Sequence, residues 1–129
     1  MAHGLSGKTV CAMVGLPARG KSYIAQKLCR YLNWLGIPTQ VFNVGNYRRK
    51  MCGSSKTAEF FDPKNEEAEE GRLRAAVEAL NEMVDWLRTS DGQVAIYDAT
   101  NTSLTRRQMI RQNCEELGLH VQIIILDYI

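Results

Sequence analysis

A short glycine-containing segment carries the side chains best suited to chemistry. Gly15–Ser22 reads Gly-Leu-Pro-Ala-Arg-Gly-Lys-Ser, the spacing of a phosphate-binding loop. Glycines leave backbone N–H groups open to an anion, Lys21 adds a charge that can reach the β- and γ-phosphates, and Ser22 offers an oxygen to Mg²⁺. The segment therefore predicts binding of ATP with Mg²⁺. The residues predicted to contact the nucleotide are Gly15, Leu16, Pro17, Ala18, Arg19, Gly20, Lys21, Ser22 and Tyr23.

A carboxylate at the end of an apolar run is the candidate partner for that metal. Residues 94–97 are apolar and end in Asp98, and open parallel sheets place their ligands at the carboxyl ends of strands. We predict Lys21 and Asp98 as catalytic residues, and Ser22 and Asp98 as metal ligands. The alternative is that Asp98 only caps a turn or the following helix. On the first interpretation Thr100 projects into the same crevice, where its hydroxyl could hold an acceptor substrate or the phosphates.

Apolar periodicity places the loop and the acid in an alternating domain. Short apolar runs bounded by glycine or proline predict strands, and apolar residues at intervals of three and four predict the helices between them. The order β-α-β-α-β-α-β predicts an α/β, three-layer P-loop kinase-like domain with a parallel sheet and helices on both faces. Strands are predicted at Thr9–Val14, Thr39–Val44, Gln93–Tyr97 and His120–Leu126, and helices at Lys21–Leu35, Asp62 to about Arg88, and Ser103–Leu117.

The larger apolar side chains predict which face of each helix lies against the sheet. The inward residues expected are Ile24, Leu28, Tyr31, Leu32 and Leu35, then Leu73, Val77, Leu80, Val84 and Leu87, then Leu104, Ile110, Cys114 and Leu117. Between the second strand and the second helix, Gly45–Phe61 shows no sustained period and contains the basic cluster Arg48, Arg49 and Lys50. We interpret that stretch as a functional loop or a short irregular helix.

The composition is that of an ordinary globular domain. The 129 residues fit one domain, 1–129, and a net charge of +2 is too small to indicate a nucleic-acid-binding surface. The four cysteines form no C-x-x-C pair, so free thiols are expected, and no apolar segment is long enough to span a membrane. We expect a cytoplasmic location without nucleic-acid or membrane partners. An apolar strand such as the last one is normally followed by a loop and by further elements that cover the sheet. We therefore also expect a domain truncated after its fourth strand.

Several segments together are more specific than the phosphate loop alone, above all the Tyr-Arg-Arg and Asp-Ala-Thr-Asn strings. The segments are Met13–Ile24, Tyr31–Trp34, Val41–Arg49, Glu59–Phe61 and Tyr97–Thr102. They closely resemble the kinase domain of the 6-phosphofructo-2-kinase/fructose-2,6-bisphosphatase family over nearly the whole chain. The resemblance implies transfer of the γ-phosphoryl group of ATP to the 2-hydroxyl of fructose 6-phosphate. The product, fructose 2,6-bisphosphate, regulates glycolysis.

The resemblance also implies roles for individual residues. Arg49 and Arg72 match arginines that help to hold the sugar phosphate, and Thr100 matches a threonine that contacts the sugar. Arg48 is a further substrate-binding candidate, although a solvated basic face suits it equally well. Guanidinium groups fit phosphate oxygens in two-point contacts, which agrees with these assignments.

Two positions depart from the family pattern. Ser22 stands where threonine is common and keeps the hydroxyl, and Asn46 stands where glutamate or glutamine is frequent. The resemblance further implies strands that complete the adenine cleft and a bisphosphatase half, which this sequence lacks, and it allows a homodimer of the full-length parent. Two alternatives stay open: a nucleotide-binding fragment without turnover, and a P-loop kinase of another acceptor, such as a different sugar or a polynucleotide end.

Overall fold

The described residues form four strands and four helices, with two consecutive helices between the second and third strands. The computed structural model describes residues 5–15, 20–52, 66–99 and 104–125, without the side chains of 48, 50–52 and 66–68. The elements are β1 (Thr9–Val14), α1 (Lys21–Trp34), β2 (Thr39–Asn43), α2 (Val44–Cys52), α3 (Glu66–Thr89), β3 (Val94–Asp98), α4 (Leu104–Glu115) and β4 (His120–Ile125).

The four strands form one parallel sheet in the order β2-β3-β1-β4. Asp98, the last residue of β3, lies opposite Met13 of β1 and Asn43 of β2. The carboxyl ends of three strands are therefore level with one another. The predicted parallel sheet is confirmed, and its register brings the ends of β2 and β3 to one edge.

Helices cover both faces of the sheet, as predicted. On one face Val10, Ala12 and Tyr97 pack with α3 and α4 in a large apolar cluster. On the other, Met13 and Ile96 pack with Ala25 of α1. The strands read as continuous apolar runs because alternate residues are buried under different helices.

The inner face of α1 differs from the predicted one. Lys21 and Ala25 are buried, whereas Ile24, Tyr31 and Leu35, which were expected to face inward, are 41%, 56% and 48% exposed. The small side chain of Ala25 lets the helix lie close to the sheet, and this contact turns the larger residues outward. The predictions for Leu28 and Leu32 are better, since both are half-buried.

Alanines also form the inner face of α3. Leu80 and Leu87 are buried as predicted and Val84 is half-buried, but Leu73 and Val77 are 45% and 38% exposed. The residues of α3 that are fully buried are Ala75, Ala76, Ala79, Met83 and Leu87.

The inner face predicted for the third helix, here α4, is confirmed only for the residues in the middle of the predicted set. Ile110 and Cys114 are buried, whereas Leu104 and Leu117 are 63% and 39% exposed. Burial raises the pKa of the Cys114 thiol to about 11. Cys114, Cys11 and Cys29 are all free thiols, in agreement with the expectation from the sequence.

A regular nine-residue helix, α2, occupies the start of the segment that lacked a period in the sequence. It packs against α3, and Tyr47 donates a hydrogen bond to Glu82. The short-helix interpretation is thus correct through Cys52, and residues 53–61 lie outside the described part of the chain. None of the helices in the described ranges is long and apolar enough to cross a membrane.

Candidate active site

The candidate site lies where the carboxyl ends of β1, β2 and β3 meet the first turn of α1. Gly20 adopts a left-handed conformation, with φ 78°, immediately before α1, and a glycine does so without a side-chain clash. Gly20 is the N-cap, and among the described residues no side chain makes a capping hydrogen bond to this helix, so its first turn offers main-chain N–H groups at the positive end of the helix dipole. Gly15 ends the strand side of the loop and is buried. The other predicted loop contacts, Leu16, Pro17, Ala18 and Arg19, lie outside the described residues.

Lys21 and Asp98 form a buried ion pair at the centre of this site. Lys21 is 7% exposed and Asp98 is 1% exposed. An unpaired charge at such depth would be very costly, because it would lose its hydration without compensation. The pairing accounts for the burial of both residues and brings the two predicted catalytic residues, which are 77 positions apart, into contact.

Two further side chains hold the Asp98 carboxylate. The Ser22 hydroxyl donates to Oδ2 of Asp98 over 2.8 Å, and Nδ2 of Asn43 donates to the same oxygen, also over 2.8 Å. Both carboxylate oxygens therefore have partners, and these come from α1 and β2. The contacts join Asp98 to the start of α1, in agreement with a role in the phosphate site. The alternative, that Asp98 caps a turn or the following helix, concerns residues 100–103, which lie outside the described part of the chain.

Asn43 is a site residue for which the sequence analysis assigned no role. Its Oδ1 accepts a hydrogen bond from the backbone N–H of Asn46 over 3.2 Å, which makes Asn43 the N-cap of α2. Its Nδ2 meanwhile reaches Asp98. The signal in the sequence was an asparagine, a preferred N-cap, at the carboxyl end of a predicted strand.

The donor set at Asp98 fits Mg²⁺ bound together with phosphate. Mg²⁺ takes oxygen ligands and is commonly held by one or two protein groups, with phosphate oxygens and waters filling the other positions. Ser22 and Asp98 offer a hydroxyl and a carboxylate that already touch. Within the described ranges, no group of three or more His, Cys, Asp or Glu side chains could hold a metal ion by itself.

The predicted substrate-binding residues lie on neighbouring helices or outside the described set. Arg49, on α2, is exposed and donates to Oδ1 of Asn46. Arg72, on α3, forms an ion pair with Glu69, and this hydrogen bond lowers the pKa of Glu69. The side chain of Arg48 and all of Thr100 are outside the description. The structure thus brings together Lys21, Ser22 and Asp98, while the substrate assignments stay predictions.

Tyr23, the last of the predicted nucleotide contacts, points to solvent. Its side chain is 67% exposed, and the ammonium of Lys27 lies 5.4 Å from the centre of its ring. The side chain is therefore well placed for surface contacts on α1, and its predicted contact with the nucleotide stays a prediction.

A separate groove of about 690 Å³ lies between α3 and α4 and contains none of the predicted site residues. Glu82, Asp85 and Glu116 line it, together with Arg88. A wall with this excess of carboxylates would repel a triphosphate. The site at the carboxyl ends of the strands is therefore the better candidate for nucleotide chemistry.

Comparison with known proteins identifies the relatives of the chain. A family model described as 6-phosphofructo-2-kinase matches residues 1–129. Human 6-phosphofructo-2-kinase/fructose-2,6-bisphosphatase 3 is 52% identical over 108 residues, which cover 84% of this chain and 21% of the relative. The rat protein numbered 4 is 53% identical over 110 residues, covering 85% and 24%. The chain therefore spans about a fifth to a quarter of the length of these curated relatives.

Solved structures agree with the fold. One match is the APS kinase CysC of Mycobacterium tuberculosis in complex with AMPPNP and APS. The match covers 95% of this chain and 63% of the CysC chain, with a TM-score of 0.68 and 21% sequence identity. Identity at this level supports the P-loop kinase fold alone. Because the family model matches the chain from end to end and close relatives cover most of it, the chain belongs to the 6-phosphofructo-2-kinase family.

Proposed function

We propose that the protein containing this chain transfers the γ-phosphoryl group of ATP to the 2-hydroxyl of fructose 6-phosphate, giving fructose 2,6-bisphosphate. The observation that carries the proposal is the Asp98 carboxylate, held by Lys21 and Ser22 at the uncapped start of α1 in a chain of this family. These are the groups that phosphoryl transfer requires, because catalysis of this reaction depends mainly on positioning and on neutralising charge.

The loop Gly15–Ser22 would bind the phosphates of ATP. Main-chain N–H groups at the start of α1 point their positive ends towards an anion, and Lys21 supplies a full charge beside them. An ammonium group has three donors, so Lys21 can share them between Asp98 and a phosphate oxygen. Asp98 keeps its hydrogen bonds from Ser22 and Asn43 during such a change.

Ser22 and Asp98 would hold Mg²⁺ against the phosphates. When bound, the ion supplies positive charge that offsets the charge of the transferring group. The Ser22 hydroxyl keeps the oxygen that the more common threonine would provide. The role of the chain is to hold these two oxygens at one point, which the 2.8 Å contact already does.

Arg48, Arg49, Arg72 and Thr100 would bind fructose 6-phosphate. The support for this part of the proposal is family membership together with the packing of α2 against α3, the helices that carry Arg49 and Arg72. Guanidinium groups on two packed helices can approach one phosphate from different sides. The 6-phosphate would then fix the sugar so that its 2-hydroxyl faces the γ-phosphate.

Substitution of Arg49 tests the identity of the acceptor. Because a charge-assisted hydrogen bond contributes about 1.5–3 kcal/mol, we expect Arg49→Ala to raise the KM for fructose 6-phosphate by about 10- to 100-fold and to leave the KM for ATP nearly unchanged. Steady-state kinetics on the purified full-length protein, with identification of the product, provide the measurement. Arg74→Ala is the matched control, because Arg74 is an exposed arginine on α3.

Three results would contradict the proposal. A wild-type protein that binds Mg-ATP but forms no fructose 2,6-bisphosphate would contradict the activity. Faster transfer to another sugar or to a polynucleotide end would contradict the acceptor. Equal KM values for the Arg49 and Arg74 variants would remove Arg49 from the binding site.

A further inference from the structure

We propose that Asn43 is a positioning residue that couples the Asp98 carboxylate to the helix carrying Arg49. The inference rests on the proposed function, and it assigns a role to a residue that the proposed function leaves without one. One amide side chain would set the placement of the phosphate-binding site relative to the sugar-phosphate site.

The first half of the coupling is the contact between Asn43 and Asp98. Nδ2 of Asn43 donates to Oδ2 of Asp98 over 2.8 Å, and the two residues lie opposite each other in the β2–β3 register. Oδ2 also accepts from Ser22, while Lys21 binds Oδ1. Three elements thus share one carboxylate, and β2 contributes only through Asn43.

The second half runs from Asn43 into α2. Oδ1 of Asn43 accepts the backbone N–H of Asn46 over 3.2 Å and so fixes the first turn of the helix. The side-chain oxygen of Asn46 in turn accepts a hydrogen bond from Nη2 of Arg49. A continuous hydrogen-bonded path therefore leads from Asp98 through Asn43 and Asn46 to Arg49.

The chemistry of the amide explains why asparagine suits this position. Asparagine has both a donor and an acceptor, and both are used here. Serine is also a good N-cap, but its hydroxyl lies one atom closer to the backbone and lacks the second polar group. Alanine can make neither contact. Asn43→Ser therefore removes the link to Asp98 and keeps the cap, whereas Asn43→Ala removes both.

Kinetics of these two variants separate the coupling from a purely structural role. We expect Asn43→Ser to lower kcat by about tenfold, the effect of one lost hydrogen bond, with the KM for fructose 6-phosphate within about twofold of wild type. Asn43→Ala should lower kcat to a similar extent and also raise that KM by about tenfold, because α2 loses its cap. If Asn43 were merely structural, both substitutions would reduce the fraction of folded protein, and kcat would not fall separately from a change in the KM for fructose 6-phosphate.

Hydrogen exchange gives a second readout that does not depend on turnover. On the proposed function, Mg²⁺ would bind Asp98 and the phosphates would bind Lys21, so exchange at the amides of residues 44–49 should respond in wild type when Mg²⁺ and a non-hydrolysable ATP analogue are added. We expect this response to be lost in Asn43→Ser and Asn43→Ala. Asn81→Asp is the control, since Asn81 is exposed on α3 and lines the separate groove between α3 and α4, and it should behave as wild type in both assays.

The outcomes distinguish the two proposals. A wild-type protein without 6-phosphofructo-2-kinase activity overturns the proposed function and the coupling with it. An active wild type with identical constants for the serine and alanine variants overturns the coupling alone. An unchanged exchange response at 44–49 in Asn43→Ser also overturns it, even if the alanine variant fails to fold.

Discussion

Two buried lysines at opposite ends of β1 have different kinds of partner. Lys8, just before the strand, is 4% exposed and donates to the main-chain carbonyls of Leu87 and Ser90, the second over 3.1 Å. Lys21, beyond the other end of the strand, is 7% exposed and pairs with the carboxylate of Asp98. Burial is thus nearly the same for the two ammonium groups, and only their acceptors differ.

The acceptors show which lysine is structural. Main-chain carbonyls at the end of α3 have lost their helical partners, and a cation there also complements the helix dipole. Removal of the Lys8 ammonium group would take away the hydrogen-bond donor of these carbonyls. Asp98, in contrast, keeps hydrogen bonds from Ser22 and Asn43 when Lys21 turns to another anion. Lys8 therefore holds the fold, and Lys21 is able to exchange partners.

The largest expected effect is the loss of activity in Lys21→Met. On the proposed function Lys21 stabilises the transferring phosphoryl group, so removal of its charge should lower kcat/KM by about 1,000-fold, the upper range for a single electrostatic contact in an active site. Asp98 retains two donors but loses its buried counterion, which should also lower the free energy of unfolding, so kcat/KM is expressed per folded molecule. Kinetics together with circular dichroism provide the measurement.

Lys27→Met is the matched control for that substitution. Lys27 lies on the same helix, is exposed and contacts the ring of Tyr23. It should retain activity within about twofold, since exposed charges contribute little. If the two methionine variants were equally active, Lys21 would have no special role.

Next in size is the effect of Lys8→Met on stability. The substitution leaves two carbonyls without their donor, so we expect the free energy of unfolding to fall by about 2–4 kcal/mol. The kcat per folded molecule should not change, because Lys8 lies at the end of the sheet away from Asp98. Denaturant unfolding and active-site-normalised kinetics measure the two quantities separately.

Alkylation of Cys114 reports on the same end of the molecule. Its raised pKa, about 11, keeps the thiol protonated at neutral pH, and its reactivity should rise as the pH approaches that value. We expect faster labelling in Lys8→Met than in wild type, read from the Cys114 peptide by mass spectrometry. The reverse order would show that Lys8 does not stabilise this end.

The smallest effect expected is that of Gly92→Ala, in the turn that follows Ser90. A Cβ atom there would lie 2.6 Å from Cζ2 of Trp86, whose ring packs 5.7 Å from that of Phe42. Moving this ring should cost about 1–3 kcal/mol of unfolding free energy. The cost should shrink in a Trp86→Leu background, which a double-mutant cycle measures; an equal cost in both backgrounds would rule out the clash.

The strands and the start of α1 were predictable because their signals are local. β1 was predicted at its observed bounds, since an apolar run ending in glycine is visible without knowledge of any neighbour. The helix faces were predicted less well. Side-chain size pointed to Tyr31 and Leu73, but alanines such as Ala25 and Ala76 lie against the sheet, because close approach favours small residues.

The role of Asn43 could not be predicted for a different reason. Its contact with Asp98 depends on β2 lying beside β3, and the order of strands is a property of the tertiary fold. The same residue also caps α2 at its start. That Asp98 lies in the same site as Lys21 was easier to predict, because strand ends in parallel sheets converge, although their ion pair itself was not predicted.

The position of β3 between β1 and β2 has a consequence for synthesis on the ribosome. The ribosome synthesises β1, α1 and β2 well before β3, the strand that lies between β1 and β2, and Asp98 follows Lys21 by 77 residues. Until β3 emerges, neither earlier strand has its native neighbour, and Lys21 has no acid to meet. The phosphate-binding loop is thus synthesised early, but its site forms late, when β3 inserts between β1 and β2.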